Sequence, residues 1–360
     1  MHLDEILRIA NPKQLAAIKH PLAPLMIIAG AGTGKTFTLE NRIIYMIQQY
    51  GVKPDSILTI TYTEKAAKEL KSRLHEKIGQ KVHPMFVGTF HSFCYKLMKD
   101  YQINNADSSS LIDQSEAVHM ILENYDDFMP FMSEEFSINP KISVVESFIP
   151  FFNRLRDELV DIDKVDQSIL KDFYKDDAES LDQLNDLLRI FPIYQNLKKE
   201  NNLIDYNDMI LDTFHALKND TRLLEKVQSK YEHLIIDEFQ DNNYALNEIS
   251  RLISKKNRSI TVVGDDDQVI YSFRGANAFN ISTFEKTYES HPDYKMITLE
   301  TNYRSSQPIL DLANQSIKHN KERKVKSLVS AGKNIEIKPI IFKGEKTEQI
   351  EFIGNEIIKL

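Results

Sequence analysis

The chain has 360 residues, of which 42% are hydrophobic and 27% charged, a composition typical of a soluble globular protein with two or three domains. A single cysteine, Cys94, excludes an internal disulfide and favours a reducing, cytoplasmic compartment. No run approaches the roughly 18 apolar residues of a membrane span, and the first residues lack a secretion-signal pattern, so we expect no membrane partner.

Charge is unevenly distributed along the chain. The formal net charge of −8 argues against a general polyanion-binding protein. Residues 1–110, however, carry 14 basic and 9 acidic side chains, a net of +5, whereas residues 111–200 carry 9 and 20, a net of −11. A basic first segment beside an acidic second one fits nucleic acid bound by part of the surface only.

The first predicted helix begins near residue 11. Asn11 is a suitable N-cap and Pro12 fits the first helical position, while Leu15 and Ile18 follow at helical spacing. On the sequence alone, Gln14 is predicted to be an exposed residue of this helix.

The next stretch has the pattern of a phosphate-binding loop. An apolar run at 25–28 precedes the sequence AGAGTGKT at 29–36, and a helical pattern follows. Glycines let backbone N–H groups approach phosphates at a helix N-terminus, while Lys35 would reach the β and γ phosphates and Thr36 would hold Mg²⁺. Ala29 stands where the pattern has glycine, which costs little if its φ is negative. A glycine-rich turn without a ligand is the alternative.

Two further strands follow, each with a helical pattern after it. The runs 56–63 and 84–88 are largely apolar, and their alternation with helices indicates an α/β fold with a parallel sheet. Polar and aromatic residues at 89–92 would lie on the rim where open α/β sheets bind ligands. The structural alternatives are a buried Phe90 and a capped helix start at Ser92.

The composition changes from about residue 105 to residue 200, where the chain becomes acidic and rich in phenylalanine. Apolar residues recur there at helical spacing and indicate a buried stripe rather than a ligand site. They are Leu184, Leu187, Leu188, Phe191, Tyr194 and Leu197. We interpret this region as an all-helical insertion.

Carboxylates follow two later strands. Asp237 and Glu238 directly follow the run 231–236. Beside a phosphate loop, Asp237 would hold Mg²⁺ and Glu238 would deprotonate the attacking water. The run 259–264 leads into three aspartates and Gln268. A calcium loop is disfavoured because alternating ligands and a later glutamate are missing. We therefore interpret Gln268 as a residue near the γ-phosphate or its water.

The last third contains a candidate base-stacking segment and two more strands. Residues 269–275 interleave aromatic side chains with an arginine, and a hydrophobic turn packed on the sheet is the alternative. A strand at 296–301 leads to Arg304, a candidate arginine finger for the γ-phosphate. A strand is also predicted at 335–342, at an edge or interrupted because of Pro339.

Taken together, these motifs resemble those of the UvrD/Rep/PcrA group of superfamily 1 DNA helicases. The motifs are Gln14, the loop 29–36, and the stretches 61–67, 88–92, 237–241, 263–271 and 302–305, with 203–209 as the element that leads back from the insertion. The resemblance implies a RecA-like P-loop NTPase core with a parallel sheet, a helical insertion and the start of a second RecA-like core. The implied parts are 1–104 and 201–294 for the first core, 105–200 for the insertion and 295–360 for the second core.

The resemblance also implies roles for single residues, with ATP and Mg²⁺ as cofactors. Gln14 would contact adenine and Tyr303 would stack on it. The nucleotide would be bound by Gln14, Ala29, Gly30, Ala31, Gly32, Thr33, Gly34, Lys35, Thr36 and Tyr303. Thr36 and Asp237 would hold the metal, and the catalytic residues would be Lys35, Glu238, Gln268 and Arg304. DNA would run along Tyr62, Thr89, His91, Tyr271, Phe273 and Arg274.

The implied activity is ATP hydrolysis coupled to 3′ to 5′ movement on single-stranded DNA and to unwinding at junctions with duplex DNA. Repair, replication or defence proteins would be its partners. The open alternatives are a DNA-stimulated ATPase subunit that does not unwind, and the helicase portion of a helicase–nuclease or phage-defence system. A P-loop small-molecule kinase is disfavoured because no acceptor pocket or lid is recognisable.

Four departures from the family pattern weaken single contacts. Tyr62, Glu64 and Phe273 stand where the family often has Phe, Asn and Trp, and Phe37 stands where relatives often carry Arg. The family's later motifs, including a second arginine finger, are missing, and a helical pattern from residue 350 reaches residue 360 without a cap. We therefore expect an N-terminal fragment that binds nucleotide and DNA weakly and hydrolyses ATP slowly.

Overall fold

The computed structural model describes residues 3–105, 108–269, 279–321, 323–332, 340 and 342–359. The strands are β1 (Leu25–Ala29), β2 (Ile57–Ile60), β3 (Phe86–Gly88), β4 (Ser110–Leu111), β5 (Leu203–Ile204), β6 (His233–Ile236), β7 (Ser259–Gly264), β8 (Lys295–Leu299), β9 (Thr301–Asn302) and β10 (Val329–Ser330). The helices are α1 (Leu3–Ile9), α2 (Pro12–Ile18), α3 (Lys35–Gln49), α4 (Glu64–Ile78), α5 (Phe90–Tyr101), α6 (Gln114–Glu123), α7 (Glu134–Ile138), α8 (Pro140–Ile142), α9 (Ile149–Asp157), α10 (Gln167–Phe173), α11 (Ala178–Glu200), α12 (Tyr206–Asn219), α13 (Thr221–Lys230), α14 (Tyr244–Ser254), α15 (Asn280–Tyr288), α16 (Gln307–Ile317) and α17 (Lys346–Ile358).

Six strands form one parallel sheet in the order β3-β2-β6-β7-β1-β8. Every residue of β1, β6 and β7 is buried, because helices cover both faces of the sheet. In register, Ile27 lies opposite Val263 on one side and Ile297 on the other. The sheet confirms the predicted parallel α/β fold and contains the strands predicted at 25–28, 56–63, 84–88, 231–236 and 259–264.

The strand predicted at 296–301 forms β8, which pairs in parallel with β1 at the edge of the sheet. The family resemblance implied a second core from residue 295, which would include this strand. The segment after it contributes a two-residue ladder between β9 and β10, together with α16. The four-part division of the chain stays a prediction.

The predictions near the end of the sequence have two outcomes. The strand predicted at 335–342 falls mainly on residues outside the described ones. The apolar pattern from residue 350 is helical, as predicted, and lies in α17, where Ile350, Ile353 and Ile357 are exposed.

Two hydrophobic cores pack against opposite faces of the sheet. One is built from α5 and α12–α15, with Phe93 and Leu97 among its buried side chains, and the other from α2, α3 and α4, with Ile43 and Leu74. The single cysteine, Cys94, is buried in the first of these cores, where desolvation raises the pKa of its thiol to about 12. Within the described residues, no helix has the length and apolar character that crossing a bilayer requires.

The insertion is a separate helical unit with its own aromatic core. Phe128, Phe136, Phe148 and Phe152 are fully buried in it. The predicted stripe on α11 lies there as well: Leu187, Phe191 and Tyr194 are buried, and Leu188 and Leu197 pack against them. A short parallel ladder between β4 and β5 closes the base of the unit. Apart from β4, the regular structure described within residues 108–200 is helical, and the bounds of the insertion stay a prediction.

A buried ion-pair cluster joins the insertion to the first core. Arg156 of α9 and Lys198 of α11 both contact the carboxylates of Asp205 and Asp208, which cap the start of α12. Tyr194 donates a further hydrogen bond to Asp205 at 2.8 Å. Burial alone would raise the pKa of Asp205, but the pairs with Arg156 and Lys198 outweigh it and hold the pKa well below its usual range. Each charge of the cluster therefore depends on the others.

Replacing Lys198 with methionine should strongly destabilise the protein. The substitution keeps the length of the side chain but leaves two buried carboxylates with one cation, and breaking a buried ion pair from one side costs about 3–5 kcal/mol. Urea denaturation followed by circular dichroism measures the change. Lys164→Met, which removes the exposed partner of Asp161, is the control and should leave the midpoint unchanged. Equal midpoints for the two variants would contradict the role of the cluster.

Candidate nucleotide-binding site

The phosphate-loop sequence connects the end of β1 to the start of α3, as the pattern predicted. Gly32 and Gly34 have φ values of 75° and 84°, in the left-handed region that favours glycine. The Thr33 hydroxyl donates to the Gly30 carbonyl at 2.7 Å and closes the turn. Ala29 is the last residue of β1 and therefore has extended backbone, so alanine is tolerated at this position. The N-terminus of α3 points its free N–H groups toward the loop.

The prediction that Gln14 is exposed was wrong, because its side chain is only 3% exposed. Its Oε1 accepts from the backbone N–H of Asn11 at 3.1 Å, which completes a capping box at the start of α2. Its Nε2 donates to the Thr33 carbonyl at 3.1 Å. A Cβ on Gly34 would lie 2.7 Å from this Nε2. Gln14 therefore packs directly on the phosphate loop.

A cavity of about 440 Å³ lies beside the loop and brings together several of the predicted nucleotide ligands. Its lining residues are Ile9, Gln14, Gly32, Gly34, Phe37, Tyr303 and Arg304. The ring of Tyr303 is 43% exposed, and its hydroxyl accepts from Asn11 Nδ2 at 2.9 Å. Arg304 is exposed at the same opening. The cavity thus has an aromatic face and a basic side chain next to the loop.

Asn302 holds this side of the cavity in place, a role that the sequence reasoning missed. Its Nδ2 donates to the Ala31 carbonyl at 2.7 Å, and its Oδ1 accepts from the backbone N–H groups of Arg304 and Ser305 at 2.8 and 2.7 Å. The backbone N–H of Tyr303 donates to the Gly32 carbonyl at 2.8 Å. The only sequence signal was the position of Asn302 directly before the tyrosine and arginine.

The two carboxylates after β6 lie at the same edge of the sheet as the loop. Lys35 Nζ donates to Glu238 Oε1 and Oε2 at 2.8 and 2.7 Å. Burial and the neighbouring Glu238 raise the pKa of Asp237 to about 6, while Lys35 lowers it. A divalent cation beside Asp237 would favour its charged form, so an oxygen ligand set of Asp237 and the Thr36 hydroxyl fits Mg²⁺.

Glu238 is held in an unusual backbone conformation. Its φ and ψ are 50° and 45°, in the left-handed region that non-glycine residues rarely adopt. Such residues cost about 1–3 kcal/mol and cluster at functional sites, where the surrounding structure determines them. In this conformation both Glu238 carboxylate oxygens accept hydrogen bonds from Lys35 Nζ.

The three aspartates after β7 form ion pairs with basic side chains. The sequence pattern also disfavours a calcium loop at this position. Lys326 Nζ lies 2.9, 2.6 and 2.6 Å from oxygens of Asp265, Asp266 and Asp267, and it is buried. Arg323 pairs with Asp267 and helps to hold the pKa of this carboxyl below its usual range, although burial opposes the shift. Lysine and arginine thus provide the countercharge that a metal would supply.

Gln268 follows these aspartates in a short 3₁₀ turn. Its Nε2 donates to Asp265 Oδ2 at 2.5 Å, so its carboxamide is fixed within the loop after β7. Its predicted position near the γ-phosphate stays a prediction.

The predicted DNA-binding residues fall into two groups. Tyr271, Phe273 and Arg274 lie outside the described residues. Thr89 is buried and caps α5, and its hydroxyl donates to Glu64 at 2.8 Å. The capping box with Ser92 and the burial of Phe90 agree with the structural alternatives for these two residues.

The remaining members of the predicted DNA path lie near the surface. His91 is exposed, and desolvation by its neighbours lowers its pKa although Glu64 raises it. Its ring meets the ring of Tyr206 edge to face, with centroids 5.9 Å apart. Tyr206 is 47% exposed and was not predicted, although it lies in the 203–209 element. Tyr62 is half-buried.

A glycine-rich loop at the carboxyl edge of a parallel sheet, facing an aspartate–glutamate pair, defines a P-loop nucleotide-binding protein. Comparison with known families agrees with this class: the UvrD/REP helicase N-terminal domain matches residues 10–289 and the UvrD-like helicase C-terminal domain matches residues 297–360. The chain therefore belongs to the UvrD/REP helicase family.

Curated relatives give the same assignment. The chain is 32% identical over 366 residues to the ATP-dependent DNA helicase PcrA of Staphylococcus aureus (strain Mu50). The alignment covers 99% of this chain and 46% of that protein. The chain is also 32% identical over 359 residues to the ATP-dependent DNA helicase PcrA of Staphylococcus epidermidis (strain ATCC 12228), with the same coverage. The chain thus spans about half the length of these relatives.

Replacing Asn302 with alanine should weaken ATP binding about 10-fold, because three hydrogen bonds worth about 0.5–1.5 kcal/mol each no longer hold Tyr303 and Arg304 against the loop. Titration with a fluorescent ATP analogue measures the affinity. Asn124→Ala removes a half-buried amide of the insertion that bonds the Met120 carbonyl at 2.8 Å, and it should bind the analogue like the wild type. Unchanged affinity in Asn302→Ala would show that the turn does not need this amide.

Proposed function

We propose that this chain carries the ATP-hydrolysing part of a 3′ to 5′ DNA helicase, which moves along single-stranded DNA and unwinds duplex at its junctions. Membership of the UvrD/REP helicase family supports this proposal. The single observation that carries it is the bidentate pair between Lys35 and Glu238, at 2.8 and 2.7 Å, directly beside Asp237. It joins a phosphate-binding lysine, a candidate base and a candidate metal ligand at one point.

The pair also indicates how the site would respond to nucleotide. Lys35 binds the carboxylate of Glu238, and a nucleotide phosphate would compete for the same ammonium group. Once Lys35 turns to the phosphate, the Glu238 carboxylate becomes free to accept a proton from the attacking water. Bound Mg²⁺, held by Thr36 and Asp237, would neutralise charge on the β and γ phosphate oxygens.

The proposed nucleotide contacts follow the cavity. Gln14 would read the adenine edge and Tyr303 would stack on its face, because both line the opening above the loop. Arg304 would stabilise charge on the γ-phosphate, together with Gln268. The proposed DNA path runs along Tyr62, Thr89 and His91 to Tyr271, Phe273 and Arg274, and a cytoplasmic site of action beside DNA belongs to the same proposal.

ATP hydrolysis with and without single-stranded DNA tests the proposal on the full-length protein. We expect DNA to stimulate the wild type, and Glu238→Gln to lower the rate about 10²- to 10⁴-fold, the usual contribution of a general base. Lys35→Ala should abolish the stimulated rate, whereas Lys53→Ala, at an exposed lysine in the loop after α3, should hydrolyse ATP like the wild type. Wild-type activity in Lys35→Ala would contradict the proposed site.

Strand displacement separates unwinding from translocation alone. A duplex with a single-stranded 3′ tail should be opened in the presence of ATP, and one with a 5′ tail should not. DNA-stimulated hydrolysis without displacement on either substrate would instead favour an ATPase subunit that does not unwind.

A further inference from the structure

Gln240 lies between the candidate base and the loop after β7, and its side chain contacts both. It belongs to the 3₁₀ turn Phe239–Asp241 and is only 2% exposed. Its Nε2 donates to Glu238 Oε2 at 3.0 Å and to Asp241 Oδ2 at 3.1 Å. Its Oε1 accepts from the backbone N–H of Asp265 at 3.0 Å. Both ends of the carboxamide are therefore used within the site.

The partners determine which end of the carboxamide points where. Ionised carboxylates only accept hydrogen bonds, and a backbone N–H only donates. The amino group must therefore face Glu238 and Asp241, and the oxygen must face Asp265. A glutamate at this position would place a third carboxylate against those of Glu238 and Asp241. An apolar side chain would leave the buried N–H of Asp265 without its hydrogen-bond acceptor.

Gly264, the last residue of β7, leaves space for the hydrogen bond between Gln240 Oε1 and the Asp265 N–H. A Cβ on Gly264 would lie 2.9 Å from Gln240 Oε1, closer than Cβ atoms approach other atoms in proteins, and 3.4 Å from Gln240 N. The φ of Gly264 is not in the left-handed region. Glycine at this position therefore provides space for the Gln240 carboxamide rather than backbone freedom.

Asp265, the partner of Gln240, also contacts Gln268 in the loop after β7. The Asp265 carboxylate accepts from Gln268 Nε2 at 2.5 Å and pairs with Lys326 at 2.9 Å. Hydrogen bonds and ion pairs thus run without interruption from Lys35 through Glu238, Gln240 and Asp265 to Gln268. The orientation of Glu238 and the position of the loop after β7 are linked through one side chain.

We propose that Gln240 is a positioning residue for ATP hydrolysis, which orients the Glu238 carboxylate toward the attacking water and ties it to the loop after β7. The inference rests on the proposed function, in which Glu238 is the base. The Gln240 carboxamide binds Glu238, Asp241 and the Asp265 N–H, so we infer that it acts on the rate through Glu238. Its loss should lower kcat and leave nucleotide binding intact.

Steady-state ATP hydrolysis by the full-length Gln240→Met protein tests the inference, with and without single-stranded DNA. We expect kcat to fall about 10- to 100-fold, the order that a misplaced catalytic group costs, with KM for ATP within about twofold of the wild type. Gln228→Met is the matched control, since Gln228 is also buried and donates to the Leu252 carbonyl at 2.8 Å, but lies in α13 outside the site. It should keep both constants.

Gly264→Ala provides an independent route to the same effect, because its added methyl group displaces the carboxamide while Gln240 stays in the chain. We expect it to lower kcat like Gln240→Met, and the double variant should be no slower than either single one. Combined with Glu238→Gln, the Gln240 substitution should have no further effect on kcat. This non-additivity is expected of residues that act as a unit.

The outcomes separate the inference from the function on which it rests. ATP hydrolysis that single-stranded DNA does not stimulate would contradict the proposed function. The rates of the wild type and Gln240→Met without DNA would still test the positioning role. A wild type without any ATP hydrolysis would overturn both. An unchanged kcat in a folded Gln240→Met or Gly264→Ala protein, or losses that simply add, would overturn the positioning role alone.

Discussion

All six strands of the central sheet run in the same direction, and this constraint brings the site together. Parallel strands place their carboxyl ends at one edge, so the segments that follow β1, β6 and β7 meet there, although Lys35 of the first segment precedes Glu238 of the second by 203 residues. The phosphate loop, the carboxylate pair and the aspartate loop are those segments. The insertion and the ladder between β9 and β10 lie outside the sheet, but Asn302 of β9 donates to the Ala31 carbonyl of the phosphate loop at this edge.

The charges at this edge form a chain in which each group depends on its neighbour. Lys35 compensates Glu238, and Lys326 compensates the three aspartates after β7. In the buried Lys326 cluster, removing one partner costs more than the pair contributes, because the remaining charge is left in a medium of low polarity. A phosphate and a cation that enter together would keep this balance, since one replaces Glu238 as the partner of Lys35 and the other compensates Asp237.

Sequence patterns predicted the parallel sheet well, because apolar runs and motif spacing are local signals. The strands, the phosphate loop and the helical insertion are all of this kind. Gln14 was predicted to be exposed because its burial depends on contact with the loop 19 residues later in the chain. Asn302, Gln240 and Tyr206 were missed for the same reason, since a neutral amide or an aromatic ring shows its role only when its partners are in place. The strand at 296–301 was predicted, but its pairing with β1 was not, because strand order is not a property of the strand itself.

The missed amides share a physical feature that explains the glycines of the site. Gln14, Asn302 and Gln240 are each at most 3% exposed, and each lies against a glycine: a Cβ on Gly34, Gly32 or Gly264 would come within 2.7, 2.7 and 2.9 Å of the respective carboxamide. Glycines in such loops are usually explained by positive φ and by the approach of phosphates, and Gly32 and Gly34 have positive φ. Gly264 does not have positive φ, so its lack of a side chain supplies space for the Gln240 carboxamide. A buried amide side chain packed against a glycine thus occurs three times at this edge of the sheet. In each case a neutral side chain positions the backbone of a charged site.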